Sequence, residues 1–234
     1  MSAEEPVHES HDDDATRRLL SVFHHEAATP VALIASVLRH LQRSGQLEGT
    51  HEEMVAAAAR QIDVLERLLD QVRVANEDEV RIEPEPVDLA ALARELVDDL
   101  TPTVLADHPC EVVAPDDGTV ETDADPAALR QVLANLLDNA ARYSEPGKRI
   151  HVQVHASEGE AVLAVTDEGT GIADPDLERI FERYERVDEE DEGLGLGLFV
   201  VWRIVRAHGG RVHAEPAPHG PGTRFVVRLP ARTG

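Results

Sequence analysis

The helical spacing of the apolar residues is first broken at Glu83-Pro84-Glu85-Pro86, and that break commits the chain to a helical unit followed by a mixed one. Ahead of it, Leu20, Phe23, Ala27, Val31, Ile34, Leu38 and Leu41 step by threes and fours, as do Val55, Ala58, Ile62, Leu65, Leu69 and Val72. The connector from Ser44 to Thr50 holds two glycines and is short enough for an antiparallel helical hairpin. A lone hairpin cannot bury a narrow apolar stripe on both helices. Two hairpins paired as a four-helix bundle can, so a homodimer is expected. Residues 1–15 are acidic and unpatterned and are expected to be disordered; the hairpin is assigned to 16–80 and the second domain to 81–234, with Glu83 to Pro86 reading as the linker.

Beyond the linker, helical patterns at 88–107, 125–142 and 195–208 alternate with strand patterns at 110–115, 149–156, 160–166, 211–215 and 223–229. The last four strands fall in pairs separated by Ser157-Glu158-Gly159 and by the Pro/Gly-rich stretch 216–222, which predicts two hairpins. A mixed sheet with helices on one face, an α/β sandwich and not a doubly wound parallel sheet, fits this order. Only 3% of residues are aromatic, so Ala, Val and Leu must supply most of the core.

Charge narrows the partners. Against 46 Asp and Glu stand 22 Lys and Arg, a formal charge of −24, which repels nucleic acid and anionic membranes. Lys148 is the single lysine; adaptation to high salt and a GC-rich genome both produce that bias. Cys110 stands alone, so no disulfide framework within the chain is expected and a reducing, cytoplasmic setting is. No apolar run approaches the roughly 20 residues that span a bilayer, and the N-terminus begins acidic, unlike a signal peptide. The chain is expected to be soluble, or the soluble end of something larger.

On a wheel at about 100° per residue, the apolar residues from Leu20 to Leu41 fall within roughly 80° of one another. His25 lies roughly 160° from their centre and faces solvent, with Thr29 on the same face and Glu26 flanking. His24 lies about 60° from the apolar centre, so His25 is the accessible nucleophile of the pair. A neutral imidazole nitrogen is nucleophilic near neutral pH, and a neighbouring carboxylate can accept its proton. Pro30 removes a helical donor and predicts a kink just after this site.

Phe23-His24-His25-Glu26-Ala27-Ala28-Thr29-Pro30 resembles the H-box of sensor histidine kinases, departing from it at Ala27 and Ala28, where Leu and Arg are usual. The resemblance implies His25 as phosphoacceptor, Glu26 as its general base and Thr29 as the residue that positions water when a phosphorylated partner is hydrolysed. The family's other motifs follow in order. Asn135-Leu-Leu-Asp-Asn139-Ala-Ala-Arg142-Tyr143 resembles the N-box; on a helix Asn135 and Asn139 share a face, where amides offer oxygen to Mg²⁺ and N–H to phosphate. The resemblance makes Asn135 the magnesium ligand, Asn139 and Arg142 phosphate contacts, and Tyr143 a neighbour of the nucleotide.

Asp167-Glu-Gly169-Thr-Gly171 follows a strand pattern and resembles the first glycine box: a buried carboxylate can accept from the adenine amino group, and Gly169 and Gly171 let backbone approach the base. Ile180-Phe181-Glu-Arg183-Tyr-Glu-Arg186 resembles the F-box, with Arg183 and Arg186 able to offset phosphate charge. Gly193-Leu-Gly195-Leu-Gly197-Leu198 resembles the second glycine box. It opens a helix whose N-terminal amides can hold phosphates, and its spacing fits neither a Rossmann nor a P-loop motif. Thr223, after Gly222, is placed to help hold Asp167.

The resemblance covers nearly all of 20–229 and implies a helical dimerisation domain followed by a Bergerat-type ATP-binding domain. The implied activity is autophosphorylation of His25 with Mg²⁺ and ATP, then transfer to an aspartate on a response-regulator receiver. An ATPase or protein-serine kinase of the same ATP-binding class, and a degenerate dimeric scaffold or pure phosphatase, are the alternatives. Asp188 to Glu192 set five acids directly before the phosphate-binding glycines. Like charge there predicts weak ATP binding in dilute buffer that strengthens with salt or Mg²⁺.

Overall fold

The computed structural model describes residues 31–32, 34–39, 41, 43, 50–115, 119–185 and 195–232, and the chain divides after Asp78 into two compact units. The phosphoacceptor candidates His25, Glu26 and Thr29 lie outside the described residues, as do Arg186, Gly193 and the acidic run 188–192.

In the first unit, helical residues between 31 and 43 form α1, and Thr50–Asn76 form α2. Ala35 and Ile62 are buried, and the Arg39 guanidinium reaches Glu66 at 3.6 Å, joining the two helices. The apolar stripe is only partly covered: Ile34 is 49% exposed and Val37 52%, with Leu41 and Leu65 also open to solvent. On the wheel, Val37, Leu41 and Ile34 fall within roughly 60° of one another, and Ala35 lies about 100° further round. The buried and open sides of α1 are therefore distinct, and the open one is apolar.

The second unit runs β1 (Glu85–Asp88), α3 (Leu89–Leu100), β2 (Cys110–Val113), β3 (Glu121–Ala124), α4 (Pro126–Arg142), β4 (Ile150–Ser157), β5 (Glu160–Asp167), α5 (Gly197–Ala207), β6 (Arg211–Pro216) and β7 (Thr223–Pro230), with short 3₁₀ turns at Asp174–Asp176 and Arg179–Phe181. The main sheet has the order β2-β4-β5-β7-β6. β4 with β5 and β6 with β7 form the two expected antiparallel hairpins, and β2 pairs parallel with β4, so the sheet is mixed.

Alternation builds the layers. Val152, Val165, Phe225 and Ala214 fall in one cross-strand row, and Val154, Leu163, Val227 and Val212 in another. These rows, largely buried, face the apolar sides of α3, α4 and α5, where Leu129, Leu133, Leu136, Val200 and Ile204 are fully buried. The intervening rows form the other face. There a small buried cluster of Val162, Ala164 and Val226 lies beneath long polar side chains: Arg211 and Arg228 pair with Glu160, while Arg224 bridges Glu215 at 3.0 Å and Gln153 at 3.1 Å. The arginine stems cover aliphatic surface while their heads meet carboxylates, one device by which an acidic chain keeps an open sheet face.

Three expectations need correction. Helix α3 ends at Leu100, seven residues short of the 107 expected, because Pro102 has no amide to bond the Asp98 carbonyl and its ring crowds the preceding turn. Glu85 and Pro86, read as linker, begin β1, which pairs antiparallel with the unforeseen β3 from Glu85↔Ala124 to Asp88↔Glu121. These two strands carry four residues each and one or two buried side chains, too few to leave an alternating signature, and Pro86 sits in a two-stranded ribbon where a missing donor is tolerated. Helix α5 begins at Gly197, two residues later than expected. Among the described residues, no helix is long and apolar enough to cross a membrane.

Candidate nucleotide site

The C-terminal half of helix α4 carries the candidate site. The helix starts sharply: Pro126 occupies the first turn, and the Asp125 carboxylate accepts from the Ala128 amide at 3.0 Å and from the Glu83 amide at 3.1 Å. Burial pushes the Asp125 carboxyl up, but the amides of Ala128, Glu83 and Ala127 outweigh it and hold the group below its ordinary range. Among the leucines and valines on the buried face of α4 sits one amide, Asn135, only 8% exposed, whose Nδ2 donates to the Gly197 carbonyl at 3.3 Å. Asn139, one turn on, is half-buried.

Gly197 opens α5, an eleven-residue helix whose N-cap, Leu196, supplies no side-chain cap. Its leading amides therefore have no capping oxygen from the N-cap, as an anion-binding helix terminus requires. Gly195 lies just before, at φ +62°, and its carbonyl accepts from the Tyr184 amide at 3.0 Å. A Cβ at Gly195 would lie 2.8 Å from the Tyr184 carbonyl carbon, so glycine is required where these two backbones touch. Tyr184 and Gly195 thus meet in one backbone clasp. Arg183 lies with its guanidinium 4.8 Å from the Tyr184 ring centroid.

At its other end α4 meets the loop after β5. Asp167 is 4% exposed, and its Oδ1 accepts from the Gly169 amide at 2.9 Å and the Thr223 amide at 3.1 Å. Burial pushes this carboxyl above its ordinary range, and the backbone amides oppose the shift without cancelling it. Oδ2 carries neither of those bonds. The Tyr143 carbonyl, at the C-cap of α4, accepts from the Thr170 amide at 3.3 Å, and a Cβ on Gly169 would collide with that carbonyl. The close approach at Gly169 is therefore to protein backbone. Gly171, at φ +75°, would bring a Cβ within 3.3 Å of the Gly222 carbonyl, and Gly222, at φ +134°, itself abuts the Asp167 carbonyl. Tyr143 is 41% exposed, and Arg142 lies 4.0 Å from Asp138 one turn back.

Thus the fold gathers Tyr143, Asp167, Gly169, Gly171 and Thr223 at one end of α4, and Asn135, Gly195, Gly197 and Leu198 further back. Tyr143 follows Asn135 by eight residues, about 12 Å at the helical rise, a span comparable to an extended nucleoside triphosphate. Two further residues contribute. Gly222 fits against Asp167, for which the Gly-Thr pair before the last strand was a signal; His208, which bonds the Asp125 amide at 3.0 Å, carried only the mark of a helix end.

Residues 124–233 match the family of histidine kinase-, DNA gyrase B- and HSP90-like ATPases. Over 106 residues the chain is 41% identical to sensor protein SrrB of Staphylococcus aureus, a stretch that is 44% of this chain and 18% of that relative, so the chain spans less than a fifth of the curated relatives it matches. The solved structure of the mycobacterial sensor histidine kinase MprB is 32% identical, with a TM-score of 0.57, over 65% of this chain and all of that one. Full-length ShkA, solved in complex with AMPPNP, is 26% identical, with a TM-score of 0.69, over 93% of this chain and 46% of that one.

Proposed function

The chain belongs to the sensor histidine kinases, and from that premise we propose that it binds Mg-ATP on the second unit, phosphorylates His25 and passes the phosphoryl group to an aspartate of a response-regulator receiver domain. One observation carries the nucleotide part: α4 joins a buried, amide-held carboxylate at Asp167 to an uncapped helix N-terminus beside Asn135, at a separation suited to adenine and triphosphate. The AMPPNP held by ShkA is in keeping with it.

In this reading a ring nitrogen of His25 attacks the γ-phosphorus in line. The bond from that phosphorus to the β–γ bridging oxygen breaks, ADP leaves, and Glu26 takes the ring proton. Asp167 accepts from the adenine amino group, a donor that guanine does not present at that position. The leading amides of α5, with Gly193, Gly195, Gly197 and Leu198, cradle the phosphates, while Asn139, Arg142, Arg183 and Arg186 offset their charge. Mg²⁺ held by the Asn135 amide oxygen and phosphate oxygens would supply the charge neutralisation that phosphoryl transfer needs. Thr29 positions water when the phosphorylated receiver is hydrolysed.

Residues 16–80 would then form the dimerisation and phosphotransfer hairpin and 81–234 the catalytic domain. The open apolar side of α1, with Leu65 on α2, supports a four-helix bundle with a second copy, since a stripe of that kind is unfavourable in water. Incubation with ATP labelled at the γ-phosphate tests the assignment. The protein should gain acid-labile, alkali-stable label, and His25→Gln should bind ATP yet gain none. Acid-stable label would favour a serine kinase, and acid-labile label kept by His25→Gln would redirect the acceptor to His24.

A further inference from the structure

Two helices of the nucleotide site lie antiparallel and are tied at two points. At one, Asn135 Nδ2 donates to the Gly197 carbonyl at the start of α5. At the other, His208, the C-cap of α5, meets the start of α4. His208 is 9% exposed, and both its ring nitrogens are engaged. Nε2 lies 3.0 Å from the Asp125 backbone N–H, which can only donate, and Nδ1 lies 2.7 Å from the Ile204 carbonyl, which can only accept. A single tautomer, neutral with the proton on Nδ1, satisfies both partners.

Ten residues separate Asp125 from Asn135, and eleven separate Gly197 from His208. At the helical rise these are both about 15–17 Å, so the two ties bracket equal lengths of paired helix. The Asn135 tie is long for an N–H···O bond; the His208 tie has ordinary length and is buried. A buried hydrogen bond adds to the axial preference that interdigitated side chains give, because a slip leaves its donor unpaired.

We propose that His208 is a positioning residue of the nucleotide site: its bond to the Asp125 amide sets the axial register of α4 on α5, and so holds the Asn135 amide against the first turn of α5. This rests on the reading that Asn135 and that turn receive Mg²⁺ and phosphates. A displacement of about 1 Å there is enough to degrade a site that works by position.

The test measures ADP affinity of the full chain with Mg²⁺ and with EDTA, in wild type and variants. His208→Asn keeps a donor near the Ile204 carbonyl but is too short to reach Asp125; His208→Gln can present Oε1 to the Asp125 amide. His208→Asn should lose about tenfold of the Mg²⁺-dependent gain. Its affinity in EDTA, set at the Asp167 end, should stay within about twofold. His208→Gln should restore most of the gain. In an Asn135→Ala background, His208→Asn should cost nothing further. Should His208→Asn fail to fold by thermal melting, His208→Met, which fills the space without a strong acceptor, carries the same expectation. Equal losses with and without Mg²⁺, an unaltered His208→Asn, or His208→Gln no better than His208→Asn each overturn the positioning role. A wild type lacking any Mg²⁺-dependent gain would instead remove the nucleotide reading, and this inference with it.

Discussion

At Asp167 burial costs stability at the carboxylate for which an adenine contact is proposed. Its carboxyl is held above its ordinary range by burial, so the native state binds that proton more tightly than the unfolded chain does. The stability this contributes is complete below the ordinary aspartate range and is lost as pH rises through the elevated value. Asp167→Asn should therefore match wild type in acid and become the more stable protein as pH climbs past that window, read by thermal melts across pH. It should also bind ATP about 10- to 100-fold more weakly, by calorimetry, because a hydrogen bond to a charged acceptor is lost. Cys110 is governed by the same force: burial pushes its thiol up to about 11, against 9.0 for a free cysteine. At mildly alkaline pH the thiolate should be roughly a hundredfold scarcer, and iodoacetamide should label the native protein correspondingly slowly until denaturant is added.

At the scale of elements, helix α4 depends on where it begins. The Asp125 carboxylate caps Ala128 and ties down the Glu83 amide, and it titrates below the ordinary aspartate range. Its contribution is thus present above that range and lost as pH falls through the depressed value. Asp125→Ala should cost about 1 kcal/mol in urea melts at neutral pH, Asp125→Asn less, and the alanine deficit should shrink in acid. The start of α4 was legible, since an aspartate before Pro126 and a run of apolar residues at helical spacing is a strong opening signal. Its pairing with α5 was not, because the ties run through backbone atoms of Asp125, Ile204 and Gly197, which carry no side-chain identity.

For the whole molecule, two consequences follow from surface character. The open stripe of Val37, Ile34 and Leu41 should be buried in a dimer, so Ile34→Asp should yield a monomer by light scattering without unfolding the second unit. A charge of −24 acts on any incoming triphosphate. ATP affinity should rise as salt is added from dilute buffer, and a steady fall across the titration would count against the acidic segment 188–192 opposing the nucleotide.

Sequence by itself determined the order of the motifs, the family they belong to, the two hairpins and the mixed sandwich, because each is written in side chains: a repeat of apolar residues, a glycine that must turn, an amide one helical turn from another. The tertiary structure alone decided that Glu85–Asp88 pair with Glu121–Ala124, that Gly169 yields space to the Tyr143 carbonyl, and that His208 fixes α5 to the start of α4. Periodicity reports which side of an element is buried. Which distant peptide group will meet it depends on how the layers close, and main-chain donors and acceptors are the same at every position but proline.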